Sequence, residues 1–228
     1  MPTRTTPLVT GKTYHVFNRT IDSKKVFADQ SVCSLMLELL LYYRAIKTTI
    51  SHSAYVKLKD QHRKDEIMEQ ILLKKNFRVE VLAYCLMPNH FHLLLKQKKD
   101  GGISKYISDV LNSLTRHLNI KSERKGPIFL PRFQSIHIVS TNQLNHTSRY
   151  IHLNPYSAGI VKTLSELVQY KYSSFPAYSS NINDLVCNTK FILSIFNDNK
   201  DSYKKFVLDN AEYQIEIEVI KAAIKKGK

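Results

Sequence analysis

The sequence predicts an α+β fold that combines an antiparallel sheet with helices, and two kinds of hydrophobic pattern predict it. Four short runs rich in β-branched and aromatic residues are typical of strands. Apolar residues that recur three and four positions apart predict helices. The predicted order is strand, helix, insert, strand, strand, helix, strand, helix. This order is the split βαβ pattern of ferredoxin-like folds, with the helices on one face of the sheet.

The limits of these elements follow from the same patterns and from proline positions. Strands are predicted at residues 13–20, 78–87, 90–97 and 133–139. Helices are predicted from Asp29 or Ser31 to about Lys47, at 103–121, from Thr141 or Asn142 to near Asn154, and near 188–197 and 202–225. The helix that begins at 141 or 142 is expected to end near Asn154, because Pro155 disfavours helical geometry in the residue before it.

The chain is predicted to consist of three segments. Residues 1–12 are polar and are expected to form a flexible arm, residues 13–178 the sheet domain, and residues 179–228 a helical C-terminal extension. A polar insert at about 50–76 is predicted inside the domain, with a short strand or loop at 51–58 and an exposed helix at 59–75. That helix is expected to turn Ile67, Ile71 and Leu72 to one side. The extension ends in Lys221, Lys225, Lys226 and Lys228, which suit a partner surface, a nucleic-acid contact or a solvated end.

The charge balance makes a polyanion the first partner to consider. Lysine and arginine number 34 against 19 aspartates and glutamates, so the formal net charge is +15. Such a surplus favours nucleic acid. The alternative is a merely basic soluble protein that binds ribosomes or membranes without specificity.

The cysteines and the apolar runs suggest a location. Cys33, Cys85 and Cys187 are odd in number and far apart, which fits neither a disulfide framework nor a CxxC metal site. Reduced thiols in the cytoplasm are therefore expected. No run of about 18 apolar residues is present, and the N-terminus lacks the apolar segment of a signal peptide, so no membrane partner is expected.

Two histidines flank Phe91 in the third predicted strand. Alternate side chains of a strand share a face, so His90 and His92 point the same way, roughly 7 Å apart. Two imidazoles at that spacing can chelate one divalent ion. The alternative is a pair of half-exposed histidines without a metal. Four further histidines are expected to be structural: His15, His117, His137 and His146.

Tyr150 and Asn154 lie four residues apart in a predicted helix. Residues at this spacing share one helical face, so a phenol and a carboxamide project together. The alternative is a core tyrosine and an asparagine that caps a helix ending before Pro155. Because the chain has 13 tyrosines, composition does not select a nucleophile.

Four stretches resemble, in order and spacing, the REP-associated tyrosine transposases, which belong to the single-tyrosine HUH transposases of insertion sequences. They are TYHVFNRT, VLAYCLMPNHFHLLLK, FLPRFQSIHIV and SRYIHLNPYSAGIV. HUH denotes two histidines around one bulky apolar residue, here Phe91. The similarity covers about residues 10–178, and the combination of MPNHxHLL with a later YIxxNPxxAG is highly specific.

The resemblance implies an HUH-endonuclease type of fold and assigns roles to residues. His90 and His92 are implied as metal ligands, Tyr150 as the nucleophile, and Asn154 as the third ligand, where the wider group often has glutamine. A divalent ion, Mg or Mn, is implied as the cofactor, because an amide oxygen suits hard ions. Two features depart from the family: Tyr156 stands where relatives usually have valine, and the insert near 50–76 is longer than expected.

The implied activity is a metal-dependent endonuclease and strand transferase. The resemblance implies cleavage of single-stranded DNA, at or near hairpin-forming repeats, through a 5′-phosphotyrosine intermediate, by a monomer or a homodimer. DNA contacts are expected from Arg19, Arg116, Arg132 and Arg149, each of which suits a solvated position equally well. His152 is considered as a proton shuttle. The alternatives are a non-catalytic, sequence-specific DNA- or RNA-binding protein on the same fold, and a metal-dependent RNA-processing nuclease.

Overall fold

Four strands lie in one sheet in the computed structural model, which describes residues 7–46 and 49–216. They are β1 (Thr13–Arg19), β2 (Val79–Met87), β3 (His90–Gln97) and β4 (Gln134–Ile138). Their order is β2-β3-β1-β4, and every neighbouring pair is antiparallel. β1 and β2 therefore run parallel on either side of β3, which confirms the predicted split βαβ pattern.

Helices connect and cover the strands. In chain order they are α1 (Gln30–Tyr43), α2 (His52–Lys57), α3 (Gln61–Leu72), α4 (Gly102–Lys121), α5 (Thr141–Ser157), α6 (Leu164–Val168), α7 (Phe175–Ser179), α8 (Lys190–Leu193) and α9 (Lys200–Leu208). Short 3-10 turns lie at Ile21–Ser23, Val26–Ala28, Lys74–Asn76 and Ser194–Phe196, and residues 211–216 are also helical. The mixed α+β class with a helical extension is confirmed.

Both faces of the sheet are covered. Phe91 pairs with Asn18 of β1 and lies on the face where α4 packs against β2, β3 and α1. His92 lies on the opposite face, where α5 contacts β2 and β3. The expectation of helices on one face only is therefore wrong. The physical reason is that β2 carries buried apolar residues on both sides, so α5, the helix after β4, packs on its second side.

Helix α5 runs through Pro155 and ends at Ser157, which corrects the predicted end near Asn154. Ser140 caps its start by accepting a hydrogen bond from the Gln143 N–H at 3.1 Å. Pro155 lies in the last turn, so its missing N–H removes a single helical hydrogen bond. The carbonyl of Asn154 is capped by the N–H of Ala158 at 3.0 Å. As a result, Asn154 lies inside the helix rather than beyond its end.

The insert is helical along most of its length. Residues 52–57 form α2, which corrects the predicted strand or loop, and the Ser51 hydroxyl accepts from the Ala54 N–H at 3.3 Å to cap it. Ile67 and Ile71 are buried on α3, whereas Leu72 is 38% exposed and does not share their side. Helix α1 ends at Tyr43, earlier than the predicted end near Lys47, and Lys47 lies outside the described residues.

The two ends of the described chain are held against the domain. Residues 7–12, which belong to the predicted arm, contact the end of β3: the Gly11 N–H donates to the Gln97 carbonyl at 2.7 Å, and Leu8 packs on the core. Helix α9 packs against α5 and α7. The remaining arm residues 1–6 and the basic end at 217–228 lie outside the described residues.

Cys33, Cys85 and Cys187 are free cysteines, and all three are buried. Among the described residues, no single helix has the length and apolar character needed to cross a membrane. Ile21–Ala28 and Gln30–Tyr43 meet both requirements only when they are combined, and the chain bends by 93° between them.

Candidate active site

A cavity of about 600 Å³ opens between the sheet and α5. Its floor comes from neighbouring positions of two strands, because Phe17 and Arg19 of β1 lie opposite His92 and His90 of β3. The wall comes from α5. The cavity is lined by His15, Phe17, Asn18, Arg19, Met87, His90, His92, Ile136, Gln143, His146, Thr147, Tyr150, Asn154, Ser157 and Ala158. None of these described lining residues is acidic, so the cavity favours an anionic ligand.

His90 and His92 share this cavity, as the strand alternation predicts. Their ring centroids lie 5.0 Å apart and the ring planes are nearly perpendicular, at 86°. Nδ1 of His90 lies 2.7 Å from Oδ1 of Asn89. Nδ1 of His92, which is buried, lies 2.9 Å from Nε2 of His15. Each imidazole is therefore oriented through its Nδ1 by a neighbouring side chain.

Tyr150 projects from α5 toward the same pair of rings. Its ring lies edge-on to His92, with centroids 5.6 Å apart, and edge-on to His15, with centroids 5.9 Å apart. The backbone carbonyl of Tyr150 accepts hydrogen bonds from the side-chain amides of Asn154 at 3.0 Å and Gln214 at 3.1 Å. The chain after α9 thus helps to fix the helical turn that carries Tyr150.

The carboxamide of Asn154 is buried on the cavity side of α5. Its hydrogen-bond partner is a carbonyl oxygen, which only accepts, so the amide nitrogen must face the backbone. The carbonyl oxygen of the same amide is then the atom left to act as a ligand or acceptor. The predicted juxtaposition of Tyr150 and Asn154 on one helical face is present.

The donors in the cavity fit a divalent ion that also takes ligands from its substrate. Two imidazoles and one amide oxygen are neutral donors, and hard cations accept oxygen ligands from amides and phosphates. Within the described ranges, no group of three or more histidine, cysteine, aspartate or glutamate side chains is arranged to hold a metal. A cation here would therefore depend on Asn154 and on phosphate or water oxygens as well as on His90 and His92.

His15 was expected to be structural, but it belongs to the cavity. It lies on β1, is 7% exposed, and stacks on His92 with ring centroids 5.1 Å apart. Burial lowers its pKa to about 4, so His15 is neutral at pH 7. Strand alternation puts His15 on the same face as Phe17 and Arg19, but the strand register that brings it to His92 is not readable from one sequence.

His152 lies away from the cavity, in the core between α5, α7 and α9. Its Nε2 lies 2.8 Å from the Ser174 hydroxyl and its Nδ1 lies 2.8 Å from the Tyr203 hydroxyl. Complete burial lowers its pKa to about 3. This geometry does not support the proton-shuttle role considered for His152 and makes it a core residue.

The four arginines occupy different places. Arg19 is exposed and lines the cavity beside His90. Arg132 is exposed just before β4. Arg149 is half-buried, with Nη2 2.7 Å from Nδ1 of His146 and its guanidinium 4.7 Å above the Phe206 ring. Arg116 is exposed on α4, in a separate groove that also contains Arg124 and Lys125. Arg19 is therefore the one member of the four that lines the cavity.

Three comparisons with known proteins place the chain. No curated protein matches it significantly. A solved structure described as "Structure of the REP associates tyrosine transposase bound to a REP hairpin" is similar to 82% of this chain and 92% of its own, with a TM-score of 0.52 and 17% identity, which shows a shared fold. The family model described as "Transposase IS200 like" matches residues 37–154, a range that contains His90, His92, Tyr150 and Asn154. Since that match covers more than half of the 228 residues, the chain belongs to the IS200-like transposase family.

Proposed function

We propose that this protein is a metal-dependent strand transferase that cleaves single-stranded DNA through a covalent bond to Tyr150. The observation that carries the proposal is the meeting, in one cavity, of His90, His92, Tyr150 and Asn154. These are a nucleophile and three candidate metal ligands from two distant parts of the chain. A protein that only binds nucleic acid has no need for this combination, and family membership favours DNA processing.

The residues of the cavity suit an in-line attack on a phosphodiester. His90, His92 and Asn154 would hold Mg or Mn, and the cation would supply electrostatic stabilisation of the charge that develops on the phosphate in the transition state. The phenol oxygen of Tyr150 attacks phosphorus and the bond to the 3′ oxygen breaks. The phenol proton is transferred, directly or through water, to the departing 3′ oxygen. The products are a 5′-phosphotyrosine and a free 3′ hydroxyl.

Rejoining is the same step in reverse with a different strand. Another 3′ hydroxyl attacks the phosphotyrosine, the bond to Tyr150 breaks, and the phenol regains its proton. The energy of the broken phosphodiester is kept in the covalent link, so no nucleotide cofactor is consumed. The transfer of DNA from one junction to another therefore needs no group beyond those in the cavity and the cation.

The surface supports a DNA substrate with single-stranded and hairpin parts. None of the described residues that line the cavity is acidic, and Arg19 lies at its edge. The net charge of the chain is +15, which favours binding to phosphates. The similar solved structure is a transposase bound to a REP hairpin, and we propose hairpin-forming repeats as the target here as well. Arg116, Arg132 and Arg149 lie outside the cavity lining, so their contacts would be made to the flanking DNA.

One chain supplies all four groups of the cavity, which supports a site that works within a monomer. A homodimer that exchanges Tyr150 between subunits would need α5 to leave its contacts with β2 and β3. The proposal therefore has each chain act with its own tyrosine.

The test is the formation of a covalent adduct. The protein is incubated with 5′- and 3′-labelled single-stranded DNA that carries a hairpin, with Mn²⁺ or Mg²⁺, and separated in denaturant. We expect a labelled protein band that disappears in Tyr150→Phe and persists in the matched control Tyr156→Phe, which removes the neighbouring phenol. Hydrolysis that forms no adduct and persists in Tyr150→Phe would contradict the proposal and favour a nuclease. Tight binding without any cleavage would contradict it and favour a non-catalytic DNA-binding protein.

A further inference from the structure

The two histidines of β3 are each held through the same ring atom. Nδ1 of His90 lies 2.7 Å from the amide oxygen of Asn89, and Nδ1 of His92 lies 2.9 Å from Nε2 of His15. A neutral imidazole carries its proton on one nitrogen and a lone pair on the other. The partner of Nδ1 therefore decides which form the ring takes and which nitrogen can bind a cation.

For His90 the partner settles the form. An amide oxygen only accepts, so Nδ1 of His90 carries the ring proton and donates a hydrogen bond to Oδ1 of Asn89. The lone pair then lies on Nε2. Asn89 belongs to the turn between β2 and β3, and its backbone carbonyl accepts from the Thr20 N–H at 2.9 Å, which holds the turn against β1.

For His92 the partner is a second imidazole, so either ring is able to donate. If His15 donates, Nδ1 of His92 carries the lone pair, the proton moves to Nε2, and that nitrogen cannot bind a cation. If His92 donates, its Nε2 carries the lone pair and both histidines of β3 present the same atom. Only the second arrangement lets His90 and His92 bind one ion through equivalent nitrogens.

The surroundings of His15 hold it in place for this role. It stacks on His92 at 5.1 Å between ring centroids, and the Phe17 ring lies 5.1 Å away on the same strand. It is 93% buried, since 7% of it is exposed. A buried ring packed between two others has few alternative rotamers, so its Nε2 stays directed at His92.

We propose that His15 is a positioning residue: its Nε2 accepts a hydrogen bond from the Nδ1–H of His92, which keeps the lone pair of His92 on Nε2 for the cation. Asn89 does the same for His90. The inference rests on the proposed function, because it assumes a cation between His90 and His92. His15 itself contacts neither the cation nor the DNA in this role.

The first measurement is made without metal or DNA. Nitrogen-15 chemical shifts of the imidazoles in the metal-free protein report which nitrogen of each ring carries the proton. We expect the Nδ1–H form for both His90 and His92 in the wild-type protein at neutral pH. A wild-type His92 in the Nε2–H form would overturn the proposal, whatever the protein does to DNA.

The second measurement compares two variants of His15. His15→Phe keeps a ring but removes the acceptor, whereas His15→Gln places an amide oxygen near the position of the lost Nε2. Mn²⁺ affinity is measured by calorimetry, and folding is checked by circular dichroism. Loss of a residue that orients a metal ligand typically weakens metal binding about 10–100-fold, so we expect that loss in His15→Phe and recovery to within about 3-fold of wild type in His15→Gln.

The outcomes separate this inference from the proposed function. Equal Mn²⁺ affinity in wild type and a folded His15→Phe would overturn the positioning role while the adduct test still stands. A wild-type protein that forms no adduct would end the proposed function, and the metal-free shifts would still decide whether His92 donates to His15. If His15→Phe does not fold, the wild-type shifts and His15→Gln decide the question.

Discussion

The ring of Tyr150 meets the ring of His92 edge-on, with centroids 5.6 Å apart and ring planes at 86°. The two residues lie on α5 and β3, which contact each other. The phenol and an imidazole of the proposed metal site therefore lie side by side in the cavity. A phosphate seated there would reach both, which is what an attack by Tyr150 on a metal-bound phosphodiester requires.

Asn154 is predicted to act as a ligand rather than only as a brace for α5. Asn154→Ala removes both the cavity-facing oxygen and the hydrogen bond to the Tyr150 carbonyl. Gln214→Ala is the matched control, because it removes the second donor to that carbonyl and no cavity ligand. We expect Mn²⁺ binding to weaken at least about 10-fold in Asn154→Ala and by less than about 3-fold in Gln214→Ala, measured by calorimetry. Equal losses would show that Asn154 only braces the helix.

Arg19 and Arg116 are predicted to contribute differently to the binding of a short single strand of DNA. Arg19 lines the cavity and Arg116 lies in a separate groove on α4. With a short single strand, Arg19→Gln is expected to weaken binding and to reduce the slope of log K against log salt by about 0.7, the value for one phosphate contact. Arg116→Gln is expected to leave that slope unchanged and to weaken binding only when a longer hairpin is present. Fluorescence anisotropy between about 50 and 200 mM salt checks both expectations. Identical behaviour of the two variants would refute the assignment.

The buried imidazole of His152 predicts a pH dependence of stability. Burial lowers the pKa of His152 in the folded protein from 6.5 to about 3. Between these two values the imidazole is protonated in the unfolded chain and neutral in the folded chain. The unfolded state holds more protons in that pH range. The free energy of unfolding should therefore decrease as the pH is lowered from about 6.5 toward 3, by up to about 1.4 kcal/mol per pH unit from this group.

His152→Gln tests this dependence. At pH 7 we expect the variant to be less stable than wild type, because it loses the hydrogen bonds of His152 to Ser174 and Tyr203. On acidification we expect it to lose less stability than wild type, because it lacks the titrating imidazole. Urea unfolding at several pH values between 7 and 4.5 measures both slopes. Parallel curves for the two proteins would show that His152 does not control the acid sensitivity.

Gly102 is predicted to be required for the packing of α4 on the sheet. A Cβ at this position would lie 2.4 Å from the backbone carbonyl oxygen of Arg78, and Arg78 is itself fixed by an ion pair with Asp109 at 2.8 Å. Gly102→Ala should therefore lower the free energy of unfolding by about 1–3 kcal/mol, the usual cost of overpacking. Ser104→Ala, at an exposed position two residues further along the same helix, is the control and should change stability by less than about 0.5 kcal/mol. A Gly102→Ala variant as stable as the control would contradict the close approach.

Local patterns were sufficient to predict the strands and the shared face of each candidate pair. The alternation of His90 and His92 and the four-residue spacing of Tyr150 and Asn154 depend on the periods of a strand and a helix, so one sequence contains them. Their meeting depends on the packing of α5 against β3, and that expectation came from the resemblance to a family.

Three other features were missed because they depend on contacts that hydrophobic periodicity does not report. His15 reaches His92 through the pairing of β1 with β3, and a register is set by the whole sheet. Helix α5 extends past Pro155 because later N–H groups cap its last carbonyls. The segment at 52–57 becomes a helix because His52 packs against Tyr42 and Tyr55, which local propensity does not report.

The most direct test of the account is the position of the covalent bond. Trypsin cleaves after Arg149 and Lys162, so one peptide contains both Tyr150 and Tyr156, and fragment-ion sequencing of the adduct distinguishes them. The Tyr156 hydroxyl donates a hydrogen bond to Glu212 at 3.2 Å, and the pKa of Tyr156 is raised, first by desolvation and then by that carboxylate, which lowers the share of Tyr156 phenolate at neutral pH. We predict that the nucleotide is attached to Tyr150 in the wild-type protein and in Tyr156→Phe. A nucleotide attached to Tyr156, or to any residue outside the cavity, would contradict the account.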